Sequence, residues 1–466
     1  MNFGGLLSIA RSGMNAAQAQ ISTTSQNVTN AQTPGYSRQK VTLTPNYPEQ
    51  LAYGTFGTGV LVDNVLRTRD ELLDSSYRAD TANASLSEEK RDALTAVENV
   101  LGEPSNTGLA SSLDQFWSSW SDLSTNPNSS AAKAVVRQRG TQVANQLNTF
   151  GNQIVDAQTT ARARLLQTAD RVNLLSQQVA DINARIVAAE ASGNQSPDMR
   201  DQRDLKIDEL ASLIGATAYP QPNGAVNVNV GGDSLVDGAN YKSVRVQALT
   251  TDPLKLGLAL GPAPSGGGLT ETMYQLGGQI AGTIDAYNNT YPSALASLDG
   301  VASALVTATN AVHSTGFVGA TAAGNFFDAT KLTSRTIRLD TAIAADANNI
   351  ASSGVVNANG DNTVALALTQ LRDTAVPVNG QTVSISEGYR NVVTSNATQV
   401  NGATNTATAA RTLTTLTDTR RESVKGVSVD EEMVNLMKFQ QAYKAAAKLI
   451  NVVDEMSQTL LSMGGR

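Results

Sequence analysis

The sequence contains no cysteine and a single histidine, His313. The lack of cysteine excludes disulfides, thiolate catalysis and cysteine-ligated metals. A histidine-based metal site or a Ser-His-Asp triad would depend on His313 alone, and that residue follows an apolar helical segment and is expected to be structural. We therefore predict that the chain is not an enzyme and that it holds neither a metal nor a cofactor.

Aromatic residues and clustered positive charge are also scarce. Aromatics make up 5% of the 466 residues, so the cores are expected to consist of Leu, Ile, Val and Ala, as in helical bundles. The net charge is −7 and there is no basic run, which argues against a nucleic-acid partner. No uninterrupted run of 18 apolar residues occurs, so no transmembrane helix is predicted. The N-terminus lacks the pattern of a Sec signal, so export would need another route.

Both chain ends carry an apolar stripe in which spacings of three and four residues alternate, as in a heptad repeat. A first helix is predicted over residues 3–31 and a last helix from Val429 onward, where Asp430, Glu431 and Glu432 favour the helix dipole. We call the two stripes the terminal seams. They include Leu7, Met14, Ile21 and Val28 at the start, and Val429, Leu436, Phe439, Tyr443, Ile450, Val453 and Leu460 at the end.

Between the ends the pattern is mostly helical. One helix, over residues 130–191, would be about 90 Å long, with possible bends at Gly140 and Gly151. The other helices are predicted at 68–101, 109–123 (capped by Ser105-Asn106-Thr107), 196–213, 269–314 and 386–425. Residues 39–66 read as extended. Residues 216–268 alternate like strands, with hairpin turns at Asn223-Gly224 and Gly231-Gly232, and 316–384 are mixed with one strand candidate, 336–339.

Matching helices at the two ends, and matching inner helices, predict a nested chain. The fold class is mainly α with a β-rich insertion: an elongated molecule with its terminal helices paired as a coiled coil, a long helical bundle and an outer mixed β part. The predicted domains are a terminal coiled coil (1–38 with 427–466), an extended linker (39–66), a helical rod (67–215 with 269–315 and 385–426) and an outer β-rich domain (216–268 with 316–384).

The terminal seams allow two interpretations. They could pack within one chain as a helical hairpin, or against neighbouring molecules. Ordering about 70 terminal residues costs roughly 100 kcal/mol, whereas burying some 18 seam positions contributes only about 1–2 kcal/mol each. We therefore expect ends that are weakly ordered in the monomer and become ordered on assembly.

Motifs at both ends resemble the signatures of flagellar rod, hook and hook-associated proteins. The N-terminal positions that carry the resemblance are Asn27, Asn30, Thr33, Pro34, Gly35, Tyr36 and Arg38. The C-terminal positions are Glu431, Glu432, Gln440, Gln441 and Ala442. Gln26 and Thr29 depart from this pattern, because Asn and Ala are more usual there, and Gly464-Gly465-Arg466 extends the usual end.

Three internal stretches, 102–123, 201–210 and 421–428, resemble the hook-associated branch at the first hook–filament junction. Rod and hook proteins share the ends but would not be expected to carry these stretches. A hook or distal-rod protein is therefore the nearer alternative, and an axial protein with an enzymatic outer domain is the remote one.

The resemblance implies a structural subunit of the extracellular flagellum, secreted without a cleaved Sec signal. The implied partners are further copies in a ring, the hook protein, the second junction protein (hook-associated protein 3), a cytoplasmic export chaperone on the C-terminal helix and the flagellar type III export apparatus. Neither nucleic acid nor membrane is an expected partner. Arg38 is expected to fix the exit of the chain towards its middle.

Other motifs are given structural interpretations. Ser87 and Lys90 match S-x-x-K but lack its partner motifs, and Ser85 with Glu88 is interpreted as a capping box. The run Gly266–Gly268 is interpreted as a linker. Phe116, Trp117 and Trp120 are predicted to be core residues. A solvated, salt-bridged helix face is predicted for Asp198, Asp201, Asp204 and Asp208 with Arg200, Arg203 and Lys206.

Overall fold

The computed structural model describes residues 3–51, 54–261 and 276–464. The helices are α1 Phe3–Thr29, α2 Glu71–Leu101, α3 Leu109–Thr125, α4 Ser130–Glu190, α5 Pro197–Ile214, α6 Gly278–Asp285, α7 Tyr291–His313, α8 Thr341–Ala345, α9 Thr363–Gln370, α10 Ile385–Lys425 and α11 Val429–Gly464. A π-helical turn, Ala286–Thr290, joins α6 to α7, and a 3-10 turn, Ala347–Asn349, follows α8.

The described strands form small antiparallel sheets. They are β1 Gln39–Pro45, β2 Glu49–Leu51, β3 Gly54–Phe56, β4 Val60–Arg67, β5 Thr217–Pro220, β6 Val226–Val230, β7 Asp233–Asp237, β8 Asn240–Tyr241, β9 Val244–Ala248, β10 Leu256–Leu260, β11 Phe317–Val318, β12 Thr321–Ala322, β13 Val376–Val378 and β14 Gln381–Val383. Strands β5, β6, β7 and β8 form one four-stranded sheet. The other sheets have two strands each: β1 pairs with β4, β2 with β3, β9 with β10, β11 with β12 and β13 with β14. The mainly α class with small β parts is confirmed, as are both predicted hairpin turns.

The nested order is also confirmed. Helix α1 packs against α11, and α2 packs against α10. The outer pair is antiparallel, because Asn27 contacts Glu432 while a Cβ on Gly13 would lie 3.8 Å from Cβ of Ala446, fourteen residues along each helix. Whether this pair has coiled-coil packing stays a prediction.

Two hydrophobic cores lie along the 61-residue helix α4. The large core joins the first half of α4 to α3, α7 and α9, with the segment 316–384 packed on it. The small core joins the second half of α4 to α5, α6 and the strands from β6 to β10. We grouped 216–268 and 316–384 in one outer domain. The described part of the first stretch, 216–261, packs in the small core, whereas 316–384 packs in the large core. The other domain bounds stay predictions.

Some predicted details are wrong. The Ser105-Asn106-Thr107 segment does not cap α3, whose N-cap is Gly108; the carboxylate of Glu103 instead accepts the Ala110 N–H at 3.0 Å. Residues 336–339 form no strand but only one bridge, between Phe327 and Leu339. Helix α4 is unbroken at both glycines. The predicted helix start at 269 and the run Gly266–Gly268 lie outside the described residues.

One helical run, Gly278–His313, is long and apolar enough to cross a bilayer by length and composition. Leu298, Val301 and Leu305 of this run are fully buried in the large core. Its apolar character is accounted for by that packing.

Candidate assembly site

The sequence motifs of the two ends converge on Asn27. Its Nδ2 donates to Oε2 of Glu432 at 3.0 Å and to the carbonyl of Gln39 at 2.9 Å. Its Oδ1 accepts from the Tyr36 hydroxyl at 2.9 Å and from the Gln39 N–H at 3.0 Å. Asn27 is 1% exposed and Glu432 is 2% exposed, so this network is buried and its amide is fully used. It fixes the end of α1 to the start of α11.

Arg38 makes a second link between the same segments. Its Nε donates to Oε1 of Glu432 at 2.9 Å, and its Nη1 lies 3.0 Å from Oε2 of Glu431. Its backbone N–H donates to the carbonyl of Lys425 at 2.8 Å, at the end of α10. The acidic first turn of α11 therefore does more than favour the helix dipole, because it also binds Arg38, which directly precedes β1. These contacts support the role expected of Arg38.

The turn at Thr33–Tyr36 lies directly against α5. Gly35 has a φ of 78°, and a Cβ there would come within 2.5 Å of the side chain of Leu205. Both the backbone conformation and the close neighbour therefore favour glycine at this position. Asn30 closes the turn by accepting from the Thr33 hydroxyl at 3.1 Å. Burial, reinforced by the nearby charges of Asp198, Asp201 and Glu432, raises the pKa of the Tyr36 hydroxyl. Tyr36 therefore remains a hydrogen-bond donor to Asn27.

The predicted solvated face is wrong for Asp201 and Asp204, which are buried, whereas Asp198 is exposed as predicted. Asp201 is 5% exposed, Asp204 is 7% and Arg203 is 3%. Asp201 accepts from the backbone N–H and hydroxyl of Ser37, at 2.8 and 2.7 Å. The helical spacing does place the carboxylates on one face, but arginines from other elements cover that face. Asp198 instead binds side-chain amides, those of Gln26 and Gln39.

We call the buried charges around α5 the ionic cluster. It consists of Arg67, Arg69, Arg78, Arg203 and Arg421 with Asp74, Asp201, Asp204 and Asp208. Arg67 contacts Asp201 and Asp204 at 2.8 and 2.7 Å, and Arg421 joins Asp74 to Asp208 at 2.5 and 2.6 Å. The ionic cluster thus links β4, α2, α5 and α10 to one another, next to the paired chain ends.

The arginines lower the pKa of two of these carboxylates, Asp74 and Asp204. Burial alone would raise the pKa of Asp74, but hydrogen bonds from Arg69 and the charges of Arg69 and Arg421 lower it below its usual value. Burial likewise opposes ionisation of Asp204, and the charges of Arg67 and Arg69 again outweigh it and lower that pKa. Asp74 and Asp204 are therefore ionised at neutral pH.

The terminal seams face each other within the chain. Met14, Ile21 and Val28 on α1 are half-buried. On α11, Val453 is buried, and Leu436, Phe439, Tyr443 and Ile450 are half-buried. Leu7, Val429 and Leu460 are 43%, 44% and 52% exposed. The helical hairpin is thus the arrangement of a single chain, while packing of these residues between subunits stays a prediction. The motif residues Gln440, Gln441 and Ala442 are exposed.

A second apolar stripe on α11 was missed by the sequence reasoning. We call it the lateral stripe, and it consists of Leu449, Val452, Met456, Leu460 and Met463. Each of these residues is at least 42% exposed, and Met463 is 73% exposed. Spacings of three and four residues recur here too, so the signal was present. It was overlooked because it adjoins the seam, and both stripes together make a broad apolar face.

No catalytic arrangement emerges around the S-x-x-K motif, which lies in the middle of α2. Ser87 donates to the carbonyl of Asn83 at 2.8 Å, and Ser85 pairs with Ser212 at 3.0 Å. The predicted capping box is therefore wrong, since α2 begins at Glu71 with Asp70 as its cap. In the described part of the chain, no group of three or more His, Asp or Glu side chains is arranged to hold a metal.

Three parts of the chain match known families. Residues 94–327 match the flagellar hook-associated protein FlgK helical domain. Residues 7–36 match the flagella basal body rod protein family, and residues 423–463 match the C-terminal family of the flagellar basal body rod FlgEFG proteins. The two terminal matches contain most of α1 and α11, together with Asn27, Tyr36 and Glu432.

Full-length relatives carry one name. The flagellar hook-associated protein 1 of Bacillus subtilis (strain 168) is 31% identical over 503 residues, covering 99% of each chain. That of Escherichia coli (strain K12) is 24% identical and covers 98% of this chain and 99% of its own. The solved flagellar hook junction protein FlgK of Burkholderia pseudomallei shares the fold with a TM-score of 0.65 and 15% identity, over 76% of this chain and 100% of its own.

Proposed function

The chain belongs to the flagellar hook-associated protein 1 family, and from that membership we propose that it is the structural subunit joining the flagellar hook to the filament. Copies of the chain form a ring at the hook tip, with the hook protein below and the second junction protein above. The observation that carries this proposal is the full-length relation to hook-associated protein 1, which includes the internal helices at 94–327. A hook or distal-rod protein would account only for the two ends.

The lateral stripe supports assembly with further copies. In a single chain the terminal seams pair with each other, so Leu449, Val452 and Met456 remain exposed beside the helix pair. An exposed apolar stripe of this length is typical of an interaction surface. In the ring, the stripe packs against the terminal helices of neighbouring subunits, and the ionic cluster holds the rest of each subunit at a fixed angle to them.

Export is the second part of the proposal. The chain passes unfolded through the flagellar type III apparatus and acts outside the cell, while a cytoplasmic chaperone covers the C-terminal helix beforehand. The lateral stripe supports this step, because apolar side chains such as Met456 and Met463 would otherwise be exposed before assembly. The absence of cysteine suits a chain that passes from a reducing to an oxidising space. We assign no catalytic step to the protein.

Electron microscopy of cells that lack this protein tests the proposal, with the culture medium assayed for flagellin. We expect hooks of normal length without filaments, and flagellin lost to the medium. Shortened or missing hooks would instead indicate a rod or hook protein, and normal flagella would contradict the junction role.

A further inference from the structure

A polar cavity of about 330 Å³ lies beside the ionic cluster, between β4, α2, α5 and the β5–β6 hairpin. Its carboxylate-bearing lining residues are Glu71, Asp74 and Asp204. Its arginines are Arg67, Arg69, Arg78, Arg200 and Arg203. The lining therefore carries more positive than negative formal charge. Further carboxylates, those of Asp201, Asp208 and Glu190, bind the same arginines without lining the cavity.

The arginines differ in how far the protein uses their N–H groups. Arg69 donates through Nε and both terminal nitrogens to carboxylates. Arg67 donates only through Nη1, to Asp201 and Asp204, and Arg200 only through Nε and Nη2, to Glu190. Among the described residues, the remaining nitrogens of Arg67 and Arg200 have no hydrogen-bond partner. These two guanidinium groups can therefore donate to something in the cavity.

Arg203 is buried, and its ion pair with Asp204 is long. It is 3% exposed, and its Nη1 donates to the carbonyl of Gly224 at 2.7 Å and to Oδ1 of Asn183 at 3.2 Å. Its Nε has no partner in the described structure, and the carboxylate of Asp204 is 3.7 Å away. Burial lowers the pKa of Arg203 to about 10; Asp204 opposes this shift, and the charges of Arg67 and Arg200 add to it. A buried cation in this position is stabilised by any anion beside it.

We propose that this cavity binds a tetrahedral oxyanion of the phosphate or sulfate class, held by Arg203 together with Arg67 and Arg200. Guanidinium groups present planar pairs of donors that match phosphate and sulfate oxygens. Arginines from β4 and from two turns of α5 would approach such an anion from different sides, which suits a ligand with four oxygens. The bound anion would tie β4 and α5 to the β5–β6 hairpin, to which Arg203 is already joined through Gly224.

Calorimetric titration of the full-length chain with inorganic phosphate and with sulfate, at an ionic strength fixed with sodium chloride, tests the site. We expect saturable binding to the wild type and binding at least tenfold weaker in Arg203→Lys and in Arg200→Gln. Arg203→Lys keeps the positive charge but loses the planar pair of guanidinium donors. The matched control is Arg171→Gln. Arg171 lies in the second half of α4, is exposed and pairs with Glu209 of α5, so this variant should bind the anions as the wild type does. Phosphate should also raise the melting temperature of the wild type and the control more than chloride does.

Three outcomes would overturn the proposal: no saturable heat for either anion, equal binding by the wild type and Arg200→Gln, or acetate binding as tightly as phosphate. The last would assign the cavity to carboxylates. If Arg203→Lys does not fold, Arg200→Gln alone decides, because Arg200 is more accessible and its removal leaves the ionic cluster in place.

Discussion

His313 joins three segments of the large core through one imidazole ring. Its Nδ1 lies 2.8 Å from the carbonyl of Gly324, and its Nε2 accepts the Ala351 N–H at 3.0 Å. The proton must therefore be on Nδ1, and the ring must be neutral. Burial lowers the pKa of His313, the hydrogen bond to Gly324 opposes that shift, and Lys133 adds to it. The structural role expected of the only histidine is confirmed.

Protonation of His313 should destabilise the folded chain. Because the folded-state pKa lies below the unfolded value of about 6.5, the contribution of His313 to stability is complete above that pH and is lost as the pH falls further. We expect urea unfolding to show falling stability between pH 7.5 and pH 5. A His313→Gln variant should be less stable at pH 7.5 but should show a smaller change across this interval. An unchanged pH dependence in the variant would contradict this assignment.

Gly140 is required by packing and not by a bend. A Cβ there would lie 2.8 Å from Cε1 of Phe326, and that ring is fixed at 5.3 Å from the ring of Trp120 in the buried aromatic cluster. Gly140→Ala should therefore destabilise the chain by about 1–3 kcal/mol, although alanine is the better helix former. The control is Gly402→Ala in α10, where nothing lies within 4 Å and a gain of about 0.5–1 kcal/mol is expected. Denaturant unfolding of both variants would measure this difference in sign.

Single residues were predictable where their chemistry left one option. Phe116, Trp117 and Trp120 are core residues, as predicted, because their apolar area has to be covered. The local caps were not predictable in the same way. The Ser105 segment fits a cap in sequence, but the carboxylate of Glu103 accepts the Ala110 N–H at the start of α3 and takes this role.

Among the elements, α10 carries two arginines whose ion pairs should differ widely in energy. The guanidinium of Arg421 is 6% exposed, contacts Asp74 and Asp208 and lies 4.5 Å from the ring of Tyr77. Arg421→Gln should cost up to about 3–5 kcal/mol, since Asp74 and Asp208 each lose one of their two buried arginine partners. Arg411→Gln, which breaks an exposed pair with Glu88 three turns earlier, should cost about 0–1 kcal/mol. Similar unfolding free energies for the two variants would mean that the ionic cluster does not hold the elements together.

The seam and the lateral stripe of α11 can be separated by two substitutions. Ile450→Asp places a charge against α1, so it should weaken the helix pair in the monomer, measured as a loss of far-UV circular dichroism, and should block incorporation. Val452→Asp lies on the lateral stripe, so the monomer should keep its helicity and secretion should continue, while incorporation at the hook tip fails. Leu254→Asp, at an exposed turn between β9 and β10, is the control and should assemble normally. Normal assembly of Val452→Asp would show that the stripe is not a subunit contact.

The spacing of charges on α5 shows how far an element can be read from sequence. It correctly predicts that Asp201, Asp204 and Asp208 share a helix face. It says nothing about what covers the face, because Arg67 and Arg421 come from segments more than a hundred residues away in the chain. The prediction paired the carboxylates with Arg200, Arg203 and Lys206 of the same helix, and it missed the arginines that come from distant segments.

At the scale of the whole molecule, the nesting was predictable because both members of each helix pair carry related patterns. The division into two cores was not, since it depends on which half of α4 each later segment meets. Segment 316–384 returns to the first half through α7, whereas the strands after α5 stay on the second half. The hydrophobic periodicity of a helix identifies its apolar face, but it does not indicate which other element packs against that face.

The paired ends should be ordered unequally along their length in a dilute monomer. Near the ionic cluster, Asn27 and Glu432 are buried and bonded to each other, so the base of the pair is anchored. Towards the other end, Leu7 is 43% exposed and Leu460 is 52% exposed, so the seams are less well covered there, although Val453 is buried. Amide exchange should therefore show protection that falls from Asn27 towards Leu7, and from Glu432 towards Leu460, and that rises along both helices on assembly. Strong, uniform protection of residues 3–29 in the monomer would show that the hairpin is stable alone and that assembly is not what orders it.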